Sequence, residues 1–126
     1  MPIKSKFGGF LVPCVAKTAN YTVLHTDTGT LFTNRGAGGS VTFTLPTPGT
    51  EANGLVYEFE TVAAQAIVVS LTSKLNVHAN ATATSVTTAT TIGQHIRVIC
   101  DGTTWLVESN PSAASAATAV TAITIA

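Results

Sequence analysis

DTGTLFTNRGAGGSVTFTLP, residues 27–46, joins a glycine-rich turn to a stretch of strict alternation. In its second half Val41, Phe43 and Leu45 are separated by threonines. Successive side chains of a β-strand point to opposite faces of its sheet, so this period of two predicts a strand with one apolar and one polar face. Pro46 ends the pattern, because proline has no N–H to donate to a neighbouring strand.

The first half of this stretch contains residue types that build both structural turns and binding loops. Asp27 stands two residues before Gly29, where an aspartate commonly accepts hydrogen bonds from the backbone amides that follow it. Asn34 begins a loop over 34–39 whose residues tolerate a positive φ. We therefore expect Asp27, Gly29 and Asn34 to shape turns, with a metal or sugar contact as the alternative for Asp27.

Alternation returns in residues 55–62. We expect Tyr57 and Phe59 to face the interior of the domain, while Glu58 and Glu60 face outward. An outer face with two carboxylates keeps a strand soluble, and we prefer this interpretation to a hydrolytic pair of acids.

A hairpin is predicted near the end of the domain. Asp101 and Gly102 separate alternating runs at 95–100 and 103–108. A two-residue turn needs a positive φ at both central positions, which this dipeptide tolerates, so we expect the two residues to form the turn. The core predicted from all these patterns comprises Phe43, Leu45, Tyr57, Phe59, Val98 and Trp105.

The spacing of the strands indicates the fold class. No part of residues 20–109 shows helical periodicity over more than one turn. Short strands at regular spacing predict an all-β domain, an antiparallel β-sandwich or jelly roll of about eight strands. We place it at residues 19–109, between an extended N-terminal arm at 1–18 and a low-complexity C-terminal tail or arm at 110–126.

Both ends of the chain are predicted to act in assembly. Two glycines and Pro13 oppose a helix in the N-terminal arm, and its large apolar side chains favour docking on a surface. The tail buries too little area to fold alone, so it pairs with an edge strand of its own chain or of a neighbour, or has no fixed structure. The candidate assembly contacts are Phe7, Phe10, Leu11, Val12, Val120, Ile123 and Ile125.

Charge is scarce and balanced in this chain. Charged residues make up 10% of the sequence, with six basic and six acidic side chains. Unclustered, balanced charge counts against nucleic-acid binding, and no apolar run reaches the roughly 20 residues that cross a bilayer. A free monomer with so few charges would have weak colloidal protection. We therefore expect neighbouring subunits to cover much of the surface.

Chemically active side chains form no recognised catalytic pattern. His25, His78 and His95 lack the close spacing of a metal clip, and the serines match no nucleophile elbow. Cys14 and Cys100 are too few for a four-thiolate zinc site, and we expect two unpaired thiols, with a single disulfide as the alternative. The sequence thus predicts no enzymatic activity, cofactor or metal.

Three motifs occur in a definite order along residues 20–109. An Asp-x-Gly-x-x-Phe-Thr-Asn segment precedes a strand ending in Thr-Leu-Pro, a Gly-Leu-x-Tyr-x-Phe strand follows, and a hairpin ends in Gly-Thr-x-Trp. This order resembles a β-domain of tailed-bacteriophage virion proteins. The positions that carry the resemblance are Asp27, Gly29, Phe32, Thr33, Asn34, Leu45, Pro46, Gly54, Leu55, Tyr57, Phe59, Gly102, Thr103 and Trp105.

The resemblance implies a non-enzymatic structural protein of the virion. A single domain with an arm at each end fits a capsid decoration (cement) protein, which would bind the major capsid protein at the capsid surface and stabilise the shell. We expect a homotrimer, because weakly charged, Thr- and Val-rich strands suit sheets packed around an axis. The alternative is a tail fibre, tailspike or baseplate module that binds a host glycan or receptor. Trp105 could stack on a sugar there, although its inward phase favours the core.

Overall fold

The computed structural model describes residues 11–77, 80–109 and 123–125, and it contains ten strands. The all-β prediction is confirmed, and two single-turn 3₁₀ helices, His25–Asp27 and Thr50–Ala52, interrupt the connections. Two strands more than the predicted number of about eight arise because each terminal segment contributes one. The strands are β1 (Cys14–Ala16), β2 (Tyr21–Thr22), β3 (Leu31–Thr33), β4 (Val41–Thr44), β5 (Val56–Glu60), β6 (Ile67–Val77), β7 (Asn80–Thr88), β8 (His95–Cys100), β9 (Trp105–Ser109) and β10 (Ile123–Ile125).

All ten strands belong to one curled sheet. Its main path runs β1-β3-β5-β8-β9-β6-β4-β2, with β7 beside β6 and β10 beside β7. The path divides into a first half, β1-β3-β5-β8-β9, and a second half, β2-β4-β6-β7-β10. Along the chain, β1, β3 and β5 lie in the first half, and β2, β4 and β6 lie in the second. The chain therefore winds through three successive coils, each made of one strand from each half.

This winding makes the first six strands pair in parallel. The pairs β1–β3, β2–β4, β3–β5 and β4–β6 are parallel, and so is β6–β9. The antiparallel pairing predicted from the sequence is found instead in β5–β8, β8–β9, β6–β7 and β7–β10. The difference has a simple cause: the loops after β1 to β5 cross between the halves of the sheet instead of closing hairpins.

Strand β6 carries the sheet from one half to the other. Its beginning pairs with β4 from Ile67 to Ser70, and its later part pairs with β9 at Leu75 and Asn76. The register between β6 and β7 shifts between Ser70 and Leu75. Irregularities of this kind bend a strand, so the shift lies where β6 exchanges one partner for the other.

Aromatic side chains of the two halves meet in the core. Phe32 on β3 and Phe59 on β5 contact Phe43 on β4, with ring centroids 5.2 Å and 4.9 Å from it. Tilted ring pairs at such distances add stabilisation beyond the burial of their area. The six residues assigned to the core from the sequence are at most 2% exposed, namely Phe43, Leu45, Tyr57, Phe59, Val98 and Trp105.

The predicted hairpin joins β8 to β9, but its loop has four residues instead of two, because Cys100 pairs with Trp105. The Asp101 carboxylate accepts hydrogen bonds from the N–H groups of Thr104 and Thr103, at 2.8 and 2.9 Å. These bonds lower the pKa of Asp101. Gly102 supplies the positive φ of the loop, at 91°. The side chain of Asp101 thus organises a wider turn than the dipeptide alone predicts.

We expect Phe43→Ala to lower the free energy of unfolding by about 3–5 kcal/mol, because it removes the ring that joins the two halves and leaves a cavity. Leu106→Ala, at an exposed position of β9, should cost less than about 1 kcal/mol. Urea-induced unfolding measures both values. Equal losses in the two variants would show that the halves do not depend on this contact.

Candidate assembly surface

Asn34 ties together the two crossovers that follow β3 and β5. Its side chain is completely buried. The amide oxygen accepts hydrogen bonds from the N–H groups of Val62 and Ala63 at 2.7 and 2.8 Å, and the amide nitrogen donates to the carbonyls of Gln65 and Ala63 at 2.9 and 3.3 Å. All four hydrogen-bonding positions of the amide are therefore used. Asn34 lies in a turn as expected, but its task is to join neighbouring coils.

Other polar side chains continue this bridging at the same end of the sheet. The Thr61 hydroxyl donates to the carbonyl of Thr91 at 2.6 Å and accepts from the N–H of Gln94 at 2.9 Å. In the second half of the sheet, the amide oxygen of Asn20, just before β2, accepts a hydrogen bond from the N–H of Thr42 on β4 at 2.9 Å. Side-chain bonds to the backbone thus fix successive connections relative to one another.

Asp27 holds the turn before β3 with bonds different from those predicted. Its carboxylate accepts from the N–H of Leu24 at 2.9 Å and from the Tyr21 hydroxyl at 2.8 Å, so it binds an amide that precedes it. The hydrogen bond to Asp27 raises the pKa of Tyr21. Gly29 has a φ of 84° and donates its N–H to the carbonyl of Val56 at 2.8 Å. These contacts account for Asp27 as a structural residue.

Charged side chains collect on the outer side of β5, β8 and β9. The Glu58 carboxylate lies 2.8 Å from the His95 Nε2 atom, and the Glu108 carboxylate lies 3.1 Å from the Arg97 guanidinium. Glu60 is the register partner of His95. Glu58 and Glu60 alternate with buried neighbours, which turns both outward. Three carboxylates therefore share this surface with one guanidinium and one imidazole.

An apolar row borders these charges. Val56, Ile99 and Leu106 are register partners across the same three strands, and Leu106 is exposed. We call the combined surface the acidic face, and it consists of Val56, Glu58, Glu60, His95, Arg97, Ile99, Leu106 and Glu108.

Strand β1 forms one edge of the sheet, and no described residue pairs with its outer side. Leu11 and Val12, which precede it, are 59% and 50% exposed, and Val15 within it is 36% exposed. The Pro13 carbonyl accepts from the N–H of Leu31 at 2.9 Å, so the chain is attached to the sheet from Pro13 onward. Two of the predicted assembly contacts thus lie exposed beside an open strand edge.

The remaining predicted contacts divide into two groups. Ile123 and Ile125 belong to β10, which pairs with β7 of the same chain. Of the alternatives considered for the tail, the structure therefore has pairing with its own sheet. Phe7, Phe10 and Val120 lie outside the described residues.

The histidines and cysteines considered in the sequence analysis remain to be placed. His25 begins a 3₁₀ turn, and His78 is outside the described residues. Cys14 is exposed and Cys100 is buried, both as free thiols, so the alternative of a disulfide is not formed.

Trp105 does not face any surface on which a sugar could stack. It is fully buried, and its indole N–H donates to the carbonyl of Pro46 at 2.9 Å. An open groove of about 420 Å³ lies elsewhere, lined by Thr44, Leu45, Thr47, Ser70, Leu71 and Thr84.

The acidic face was not identified from the sequence, although its parts were visible. Glu58 and Glu60 alternate with apolar residues in one run, Arg97 does so in another, and Glu108 in a third. Their common location depends on the pairing of β5 with β8 and of β8 with β9. The predicted hairpin alone already places the runs with Arg97 and Glu108 on neighbouring strands, so that part of the acidic face could have been found from the sequence.

No family model matches the chain, and no curated protein matches it. Within the described ranges, no group of three or more His, Cys, Asp or Glu side chains is placed to hold a metal ion. No helix of the same ranges is long and apolar enough to cross a membrane.

We expect Asn34→Ala to lower the free energy of unfolding by about 2–4 kcal/mol, because four hydrogen bonds are lost and the N–H groups of Val62 and Ala63 and the carbonyl of Gln65 are left without their partner. Asn34→Asp keeps the acceptor but loses both donors, so it should also destabilise. Asn76→Ala, at an exposed position of β6, should change stability by less than about 0.5 kcal/mol. Denaturant unfolding of the three variants decides the matter, and an unchanged Asn34→Ala variant would contradict the bridging role.

Alkaline pH should destabilise the fold through Tyr57. Burial raises the pKa of this residue from 10.0 to about 12, and its hydroxyl donates to the Leu24 carbonyl at 2.8 Å. Because the folded pKa exceeds the unfolded one, the contribution to stability is complete below pH 10 and is lost as the pH rises toward 12. The loss should approach about 1.4 kcal/mol per pH unit.

Urea unfolding at a series of pH values from 9 to about 12 tests this slope. Tyr57→Phe removes the ionisable group and should flatten the curve, although it also removes a hydrogen bond and lowers stability at neutral pH. A Tyr57→Phe curve parallel to the wild-type curve would contradict the assignment.

Proposed function

We propose that this chain is a non-enzymatic structural protein of a tailed-bacteriophage virion, a capsid decoration (cement) protein. It would bind the major capsid protein on the outside of the shell, as a homotrimer. The motif order that resembles phage virion domains supports the class of protein, and the form of the described domain supports the role.

The observation that carries the proposal is the exposed apolar segment at the open edge of β1. Leu11, Val12 and Val15 expose apolar side chains next to backbone groups of an edge strand that no described residue covers. Such an edge is a template for pairing with another chain, and adjacent apolar side chains contribute further burial. A surface of this kind suits a protein whose work is attachment.

A protein that stabilises a capsid shell needs to bind it and does not need to catalyse a reaction. A protein that binds the expanded shell and not its precursor stabilises the expanded state by mass action. Each site then adds buried area across a junction of capsid subunits, which opposes separation of those subunits. The low charge of the chain, 10% of its residues, favours extensive contact because few ions need to be desolvated.

The direct experiment is cross-linking of virions that contain this chain, followed by identification of the linked peptides. We expect links between the segment around Leu11 and Val12 and the major capsid protein. Links to tail proteins alone would contradict the capsid role and favour the receptor-binding alternative.

A matched pair of variants tests the apolar edge. Leu11→Asp/Val12→Asp should weaken attachment to undecorated shells at least about tenfold, since two apolar side chains lose their buried contacts. Ile92→Asp alters a side chain that is 62% exposed at a different part of the surface, and should attach normally. Circular dichroism checks that each variant is folded. Equal attachment of the two variants would remove the edge of β1 from the interface.

The alternative function, glycan or receptor binding by a tail module, has its own structural candidate. The groove lined by Thr44, Thr47, Ser70 and Thr84 presents hydroxyl groups beside two leucines, which is a suitable lining for a sugar. A glycan array with wild-type protein and a Thr84→Val variant would reveal it. Binding that the substitution abolishes would favour the tail role, and absence of binding would favour the capsid role.

A further inference from the structure

Charge is unevenly distributed in this electrically neutral chain. No acidic residue precedes Asp27, whereas residues 1–10 contain Lys4 and Lys6 together with large apolar side chains. The acidic face carries three of the six carboxylates of the chain and only one of its six basic side chains, Arg97. Segment and face are therefore complementary in charge.

The two surfaces are complementary in apolar character as well. The acidic face has the row Val56, Ile99 and Leu106 directly beside its charged side chains. Residues 1–10 include Ile3 and Phe7, close in sequence to the two lysines. Lysine side chains reach carboxylates several ångströms away while their stems and neighbours contact apolar surface.

We infer that residues 1–10 of one copy bind across the acidic face of a neighbouring copy. Lys4 and Lys6 pair with the carboxylates of Glu60 and Glu108, and the apolar side chains of the segment contact the adjacent apolar row. The inference deepens the proposed function, on which it rests for the expectation of a homo-oligomer, by naming the contact between copies.

The direction of β1 favours a neighbouring copy over the same one. Strands β1, β3 and β5 are parallel, with Cys14, Leu31 and Glu58 in one row. The chain ahead of Cys14 therefore leaves the sheet beyond the row that contains Val56. To lie on its own acidic face, residues 1–10 would have to reverse direction, and a contact with another copy does not require this reversal. Leu11 and Val12, at the start of this exit, are exposed.

The contact has a defined symmetry. Segment and face are different surfaces, so each copy contributes its segment to one neighbour and its face to another. Such head-to-tail contacts form a ring when the rotation between copies closes, as the expected homotrimer requires. Strength should depend on salt, because the ion pairs lie at the surface and the Debye length shortens as ionic strength rises.

A charge-exchange experiment on the full chain tests the inference. The face variant is Glu60→Lys/Glu108→Lys, which leaves the hydrogen bond between Glu58 and His95 in place. The segment variant is Lys4→Glu/Lys6→Glu. Sedimentation velocity at low salt should show association weakened on the order of tenfold in each variant alone. Mixing the two variants should restore association in part, because an acidic segment then meets a basic face and a basic segment an acidic one at two of the three contacts of a mixed ring of three.

Controls separate this contact from general effects of charge. Glu51→Lys changes the charge on the 3₁₀ turn before β5 and should associate like the wild type. Fluorescence of the buried Trp105 and circular dichroism confirm that every variant is folded.

Three results would overturn the inference: a wild-type chain that is monomeric at all concentrations, association that no variant changes, or mixing that fails to restore it. The second and third include the case in which the segment binds its own copy. Attachment of the same variants to undecorated shells is measured separately. Normal attachment with unaltered self-association would discard this contact while leaving the proposed function intact.

Discussion

The buried amide of Asn34 is the interaction on which the arrangement of the coils depends. Strands β1 to β5 contain only two to five residues each, so their ladders supply few hydrogen bonds to keep one coil in place on the next. Four hydrogen bonds from one side chain join the crossover after β3 to the crossover after β5. With these connections fixed, β3 and β5 are held in register, and the edge of β1 and the outer side of β5 take defined positions.

The surface positioned in this way has two features that the proposed contacts would use. The open edge of β1 offers backbone groups and apolar side chains, and the acidic face offers carboxylates next to an apolar row. Neither requires a buried charge, since Glu58, His95, Arg97 and Glu108 keep part of their side chains in solvent. Weak contacts of this type gain strength when many copies act together, which is consistent with the proposed capsid role.

Alternation in the sequence was sufficient to locate the core and most of the strands, but not to order the strands. A period of two states which side chains of a strand share a face, and it placed Phe43, Tyr57 and Trp105 in the interior, where the structure has them. It carries no information about which strand lies next in the sheet. Loops rich in Gly and Pro, such as 45–55, are equally compatible with a hairpin and with a crossover, and here they are crossovers. The role of Asn34 was hidden for a related reason, because its four partners, 28 to 31 residues away, become neighbours only after the chain has wound.

The short length of β1 and β2 limits the stacking of copies at this end of the sheet. These strands start the winding, and both halves of the sheet end there without a further described partner. A long, flat end of this kind would invite copy after copy to stack into a fibre, as exposed sheet edges do. With three residues in one strand and two in the other, the end offers too few backbone groups to propagate a stack on its own. Growth in that direction therefore depends on contacts that side chains make.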